Sequence, residues 1–226
     1  MKKNSDNAVI LFAREPVLGL VKTRLNSFLD KETILRLYVC FLEDSLAKIQ
    51  DVGNADCFVA ISPEGNSEFF NQKKSSCITL FSQQGNDLGE KMRQAFIDRF
   101  SQGYTRAIII GSDSPSLPVS YIRRALGSEK DLVLGPSIDG GYYLIAMKDK
   151  VSEVFKSISW GTDKVLDETL QRIKDVGISF DLLPLWYDVD LPEDLKFLKT
   201  HLMLCEEAGL GDGGMTKKIL DDITFK

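Results

Sequence analysis

The stretch Ala107-Ile108-Ile109-Ile110 is apolar at every position and runs straight into Gly111-Ser112-Asp113-Ser114-Pro115. A strand without polar alternation has no face to give to water, so both of its faces must be covered. That condition points to a parallel sheet clothed by helices. Comparable short runs recur at Asn7–Ala13, Cys57–Ile61, Ile78–Phe81, Leu132–Leu134 and, after a double glycine, Tyr142–Met147; Ile178–Leu185 also reads as extended.

Between these runs the apolar period changes from strand to helix. Asp30 is a good N-cap residue, and from there to about Ile49 the residues Ile34, Tyr38, Phe41, Leu42, Leu46 and Ile49 share one face. Leu88, Met92, Ala95, Phe96 and Phe100 repeat the spacing across 87–100, and 119–126, 163–176 and 193–204 read as helices too. Strands alternating with amphipathic helices give βαβ units. The expected fold is therefore α/β: a Rossmann-like, mostly parallel sheet with helices on both faces. A chain of 226 residues with 43% hydrophobic content can fill such a core as one domain, here 1–208. Residues 209–226, with Gly209, Gly211, Gly213 and Gly214, read as a connector and a short C-terminal helix.

The formal charge of −5 argues against nucleic acid as a partner, since a phosphate backbone calls for a clustered basic face. Cys40, Cys57, Cys77 and Cys205 show no CxxC spacing, and the first three sit in apolar runs, where a cysteine is usually a small buried hydrophobe. No apolar segment nears the ~20 residues needed to span a bilayer, and the start has no signal-peptide pattern. The expectation is a cytoplasmic protein without a membrane span. The only histidine is His201, which removes Ser-His-Asp and Cys-His catalysis.

In parallel sheets ligands sit beyond the C-terminal strand ends, so those loops carry the candidates. The loop after the first strand holds Arg14, Gly19, Lys22, Thr23 and Arg24, a glycine among positive charges where a phosphate would lie. It is neither a P-loop, because Val21 precedes Lys22, nor a GxGxxG fingerprint. Asp113 follows the most apolar strand and suits a hard cation, although a lone aspartate there can simply cap a turn. Asp139-Gly140-Gly141 reads as a tight turn before Tyr142 and Tyr143, of which at most one can face a ligand. Asp190, in Tyr187-Asp188-Val189-Asp190-Leu191-Pro192, is either a second metal ligand or a helix cap. Trp160 is either core or pocket wall.

Taken in order, FAREPVLGLVKTRL, QQGNDLGEKM, GSDSPSLP, LGPSIDGGYYLIAM, SWGTDKVL and DVDLPEDL resemble a bacterial family of radical-SAM/selenodomain-associated, glycosyltransferase-like transferases, over about Val9 to Leu198. More distantly the chain is similar to phospholactate and molybdenum-cofactor guanylyltransferases. The resemblance implies a nucleotide-diphospho-sugar-transferase fold of GT-A type and a cofactor of Mg²⁺ or Mn²⁺. It implies that Gly19, Lys22 and Arg24 grip the nucleotide, that Asp113 binds the metal, and that Asp190 completes the metal site. Ser114 follows Asp113, so the paired carboxylates of many sugar transferases are missing at this spot.

The full candidate set is Lys22, Asp113 and Asp139 for catalysis, and Arg14, Gly19, Lys22, Thr23, Arg24 and Asp87 for the nucleotide. Gly140, Gly141, Tyr142 and Trp160 are set against the substrate, and Asp113 and Asp190 hold the metal. Three functions fit: nucleotidyl transfer from a nucleoside triphosphate to a phosphorylated small molecule, glycosyl transfer from a nucleotide sugar to a small-molecule acceptor, and nucleotide binding without catalysis. The basic loop favours the first, because a triphosphate calls for more positive charge than a diphosphate; in the second, Asp139 is the candidate base.

Overall fold

The computed structural model describes residues 3–63, 67–73, 77–211, 213–223 and 225. Its strands are β1 (Asn7–Arg14), β2 (Asp56–Ser62), β3 (Ile78–Ser82), β4 (Arg106–Gly111), β5 (Leu132–Pro136), β6 (Tyr142–Lys148) and β7 (Phe180–Leu182). They form one seven-stranded sheet in the order β3-β2-β1-β4-β6-β5-β7. Only β6 runs against the others. The turn from Ser137 to Gly141 is too short for a crossover, and so β5 and β6 must form an antiparallel pair. Of the stretch expected to be extended near Ile178–Leu185, only Phe180–Leu182 pairs, in parallel with β5.

The helices are α1 (Lys31–Asp51), α2 (Glu68–Lys73), α3 (Leu88–Ser101), α4 (Val119–Gly127), α5 (Val165–Val176), α6 (Pro192–Glu207) and α7 (Gly214–Asp222). The strand period of two divides the apolar residues between two cores. Val9, Leu11, Ile108 and Ile110 face α1, α4, α6 and α7, meeting Leu37, Phe41, Ile122, Leu195 and Leu220. Ala8, Ile10, Ala107 and Ile109 face α3 and α5, meeting Met92, Phe96 and Ile173. Each fully buried Leu, Ile or Phe contributes ~1.5–3 kcal/mol, which is what holds the bare strand β4 in the middle of the sheet.

Helix starts follow local chemistry. Asp30 Oδ1 accepts the Thr33 N–H at 2.8 Å, and Asp87 Oδ1 accepts the Glu90 N–H at 2.8 Å. Asp44, inside α1, accepts the Met215 and Thr216 N–H groups at 2.8 Å each, which fixes the start of α7 on α1. Cys57 is buried as its apolar run implies, whereas Cys77 is exposed because the chain is only just entering β3 there. Among the described residues no helix is long and apolar enough to cross a membrane.

Strands β1 to β3 build outward on one side of β1, and β4 lies on its other side. Strand order therefore reverses between β1 and β4, the point where a parallel sheet opens a crevice beyond its C-terminal ends. The loops after β1 and β4 and the segment leading into α6 all meet there.

Candidate active site

The site begins with backbone that sequence chemistry sets in place. Past β1 the chain turns at Gly19, whose φ of 75° is a left-handed conformation that glycine adopts without cost. Lys22 is also left-handed, with φ 46° and ψ 41°. A residue with a Cβ is disfavoured there, so the surroundings must hold it. Val21 and Leu25, both buried, anchor the loop on either side. The Lys22 side chain is thereby turned inward, with only 5% of its surface exposed.

Two carboxylates meet it. Lys22 Nζ lies 2.5 Å from Asp113 Oδ1 and 2.8 Å from Asp190 Oδ1, and Arg24 reaches the other Asp190 oxygen at 3.5 Å. Asp113 comes from the loop after β4, and Asp190 from the segment before α6. That segment is laced to the β4 loop: the Val189 N–H donates to Asp113 O at 2.9 Å, and Ser114 Oγ donates to Tyr187 O at 3.0 Å and also to the Asp188 carboxylate. From α1, the Tyr38 hydroxyl accepts the Arg14 N–H at 3.0 Å and lies 3.3 Å from Ser112 Oγ, which ties the ends of β1 and β4 together. Lys48, also on α1, donates to Pro115 O.

Burial opposes the charge on Lys22, but Asp113 and Asp190 outweigh it and raise its pKa above the usual lysine value. Burial likewise opposes ionisation of Asp190, yet Lys22 and Arg24 hold that carboxyl below its usual range. Asp188 behaves in the opposite way. Burial first, then the charge of Asp113, push its carboxyl up to about 7 in spite of the Ser114 hydrogen bond. Burial, followed by Asp113, also pushes the Tyr38 phenol up. The site thus gathers the carboxyl groups of Asp113, Asp188 and Asp190 around one buried ammonium, with the guanidinium groups of Arg14 and Arg24 at the crevice.

Of the expected nucleotide residues, Arg14, Lys22, Thr23 and Arg24 line one crevice of about 280 Å³ with Tyr38, Asp113 and Asp190. Gly19 forms the loop behind it. Asp87 is elsewhere: it caps α3 and lines a second crevice of about 620 Å³ with Gln84, Glu90, Arg93 and Phe155. Asp139 is exposed on the β5–β6 turn, its Oδ1 accepting the Gly141 N–H at 3.0 Å. The Gly140 carbonyl accepts the Leu166 N–H at 2.8 Å, so the turn is tied to the start of α5. Gly140 has φ 89°, and a Cβ on it would meet the Asp163 backbone.

Tyr142 points into the α3–α5 core, where its hydroxyl is buried and its ring packs edge-on against Trp160, with centroids 6.3 Å apart. Trp160 lies on Gly89 of α3, so closely that a Cβ there would come within 2.6 Å of the indole. Both rings build the wall behind the turn. Asp190 does not cap α6. Asp194 takes that role, and so the Asp190 side chain is left to Lys22.

Sequence reading passed over Asp188, Tyr38 and Ser114. The signal for Asp188 was its spacing, since residues two apart on extended chain share a side and Asp190 was already a candidate. Tyr38 gave no such signal, because its place on an apolar helix face accounted for it fully.

This architecture is that of the nucleotide-diphospho-sugar-transferase class: a mostly parallel seven-stranded α/β sheet with an ionic crevice at its reversal point. Residues 45–162 match the family DUF2064, described as uncharacterized proteins conserved in bacteria, and the chain belongs to that family. Its structure superposes on one from Desulfovibrio desulfuricans G20, provisionally named a nucleotide-diphospho-sugar transferase, with a TM-score of 0.86, 29% identity and coverage of 96% of this chain and 95% of that one. It is 27% identical over 187 residues to the 2-phospho-L-lactate guanylyltransferase of Methanocaldococcus jannaschii, covering 81% of this chain and 79% of that protein. The manganese complex of Rv0371c from Mycobacterium tuberculosis H37Rv matches in fold, with a TM-score of 0.51, 14% identity and coverage of 85% and 97%. The chain's relatives are transferases, and fold and kinship set it among them.

Proposed function

We propose that this protein is a divalent-metal-dependent nucleotidyltransferase of the cytoplasm, which joins a nucleoside monophosphate unit from a triphosphate to a phosphorylated small molecule. The observation that carries this reading is the meeting of Lys22 with Asp113 and Asp190 at the reversal of strand order, with Arg14 and Arg24 beside them. Similarity to a guanylyltransferase supports the same chemistry. The narrower kinship with radical-SAM/selenodomain-associated transferases is part of this proposal.

The donor set fits a hard cation. Asp113 and Asp190 supply oxygen ligands that already share one positive charge, and Mg²⁺ typically takes one or two protein carboxylates, leaving its other positions to water and phosphate. Among the described residues no group of three or more His, Cys, Asp and Glu is arranged as a metal cage. When bound, such an ion supplies Lewis-acid polarisation of phosphate oxygens.

The protein's own part is positioning and charge. Arg14, Lys22 and Arg24 draw the phosphates to the strand ends and take up charge as the transfer proceeds. An oxygen of the acceptor's phosphate attacks the α-phosphorus and forms a new P–O bond. The bond from that phosphorus to the bridging oxygen breaks, and pyrophosphate leaves with the electron pair. An acceptor phosphate is already ionised at neutral pH, so no histidine base is needed. Gly140 and Gly141 shape the turn that faces the acceptor, with Tyr142 and Trp160 behind it.

The second reading, glycosyl transfer from a nucleotide sugar, is favoured by the likeness to the D. desulfuricans protein. Asp139, exposed and oriented by the Gly141 N–H, would then serve as the base. One experiment separates the two. The protein is incubated with Mg²⁺, the four nucleoside triphosphates and a pool of phosphorylated metabolites, and in parallel with nucleotide sugars. Pyrophosphate that appears only with an acceptor supports nucleotidyl transfer. Acceptor-dependent nucleoside diphosphate without pyrophosphate makes the protein a glycosyltransferase.

A further inference from the structure

The ammonium of Lys22 stands where a cation bridging Asp113 and Asp190 would stand. It contacts one oxygen of each, at 2.5 Å and 2.8 Å, and its side chain is almost wholly withdrawn from water. Mg²⁺–oxygen bonds are ~2.0–2.1 Å long, so an ion bound to the same two oxygens would take up the volume of the ammonium, and like charges would repel across it. The two cannot be held together. Nor can Lys22 simply withdraw, because a buried ammonium without an acceptor is costly. In the free protein its acceptors are these same carboxylates, with the Phe41 ring 5.9 Å away.

We propose that Lys22 is an internal place-holder, and that the site takes its divalent cation only as a chelate with the phosphates of a nucleotide. The chelate brings both replacements at once: the metal takes over the carboxylates, and the phosphate oxygens receive the displaced ammonium. The left-handed backbone of Lys22 is part of the device. A non-glycine residue in that conformation is strained, so the resting position is one the ion pairs hold against the chain's own preference. Arg24, 66% exposed and on the outer oxygen of Asp190, is placed to follow Lys22 onto the phosphates.

This inference rests on the nucleotide reading above, and the test keeps the two apart. Equilibrium dialysis is run with Mn²⁺ alone and with Mn²⁺ plus the α,β-methylene analogue of each common nucleoside triphosphate, and metal retained by the protein is measured. The native protein is expected to retain Mn²⁺ at least tenfold more tightly with one analogue than without. Lys22→Met keeps the length of the side chain and removes its charge. It is expected to bind Mn²⁺ alone at least tenfold more tightly than the native protein, and the chelate at least tenfold less tightly. Native protein that binds Mn²⁺ equally well with and without every analogue, while still binding an analogue, overturns the place-holder and leaves nucleotide binding standing. Native protein that retains no chelate at all overturns both. A thermal melt establishes that Lys22→Met is folded; where it is not, the native comparison decides alone.

Discussion

The carboxylate of Asp194 accepts the backbone N–H of Asp190 at 3.0 Å and that of Leu191 at 2.7 Å. The start of α6 is thus capped from within its own first turn. Asp190, one residue before the cap position, has its side chain released from that duty and paired with Lys22 at 2.8 Å. The helix cap and the ionic site meet at Asp190, whose backbone N–H serves the cap and whose carboxylate serves the ion pair.

It follows that Asp194→Ala weakens the site from outside it. Two charge-assisted hydrogen bonds are lost, at a cost to stability of ~1–2 kcal/mol. Metal-dependent nucleotide affinity falls as well, because the Asp190 backbone loses its tether. Denaturant unfolding and titration calorimetry measure the two effects, and a variant with native values in both would refute this account of the cap.

Asp113→Asn is expected to keep the fold, since Asp113 is partly exposed and its backbone contacts remain, including the Val189 N–H at 2.9 Å. What disappears is the extra nucleotide affinity that Mg²⁺ or Mn²⁺ confers. Calorimetric titrations with and without metal make the comparison, and equal metal dependence in variant and parent would rule out Asp113 as a ligand.

The fold was legible because β1, β2 and β4 are apolar on both faces, a pattern that only a covered sheet satisfies. The antiparallel turn of β6 was less so, since Asp-Gly-Gly announces a tight turn but does not say which strand the chain will pair with next. At the site, the basic loop and Asp113 could be read from their places after strand ends. The ion pair between Lys22 and Asp190 could not, because it joins residues 168 apart in sequence. Nor could the caps decide themselves: Asp190 and Asp194 both suit a helix start, and only the geometry of α6 chooses between them. Tyr142 misleads for a related reason. Its motif points to a ligand, while the alternation of β6 sends its ring into the α3–α5 core.

Gly140→Ala tests how tightly the β5–β6 turn is built. Alanine is disfavoured at φ 89°, and its Cβ would meet the Asp163 backbone, which cannot step aside as a flexible side chain could. The expected cost is ~1–3 kcal/mol, with a matching fall in melting temperature. A variant as stable as the parent would mean that the turn relaxes freely and does not fix the position of Asp139.

Lys48 supplies a prediction about pH. Its ammonium is largely buried on α1 and donates to Pro115 O in the loop that carries Asp113. Burial, opposed only in part by the charge of Asp44, pushes its pKa from 10.5 down to about 8. In the unfolded chain the group keeps its ordinary value, so between those limits the unfolded state binds more protons than the folded one. Stability attributable to Lys48 therefore rises with pH through that window and is lowest below it, where the folded protein must hold the buried charge. Lys48→Met removes the titrating group and keeps most of the packing. Its stability relative to the parent is expected to fall by about 1–3 kcal/mol as the pH is raised from 7 to 10.5. Loss of the Pro115 hydrogen bond lowers the variant by a similar amount at every pH, so the trend with pH carries the result and not its sign at any one value. Urea unfolding of both proteins at pH 7, 8, 9 and 10 gives the difference directly, and the remaining lysines and tyrosines cancel from it. A difference that stays flat across the series would show that Lys48 titrates in the folded protein as it does in the unfolded chain.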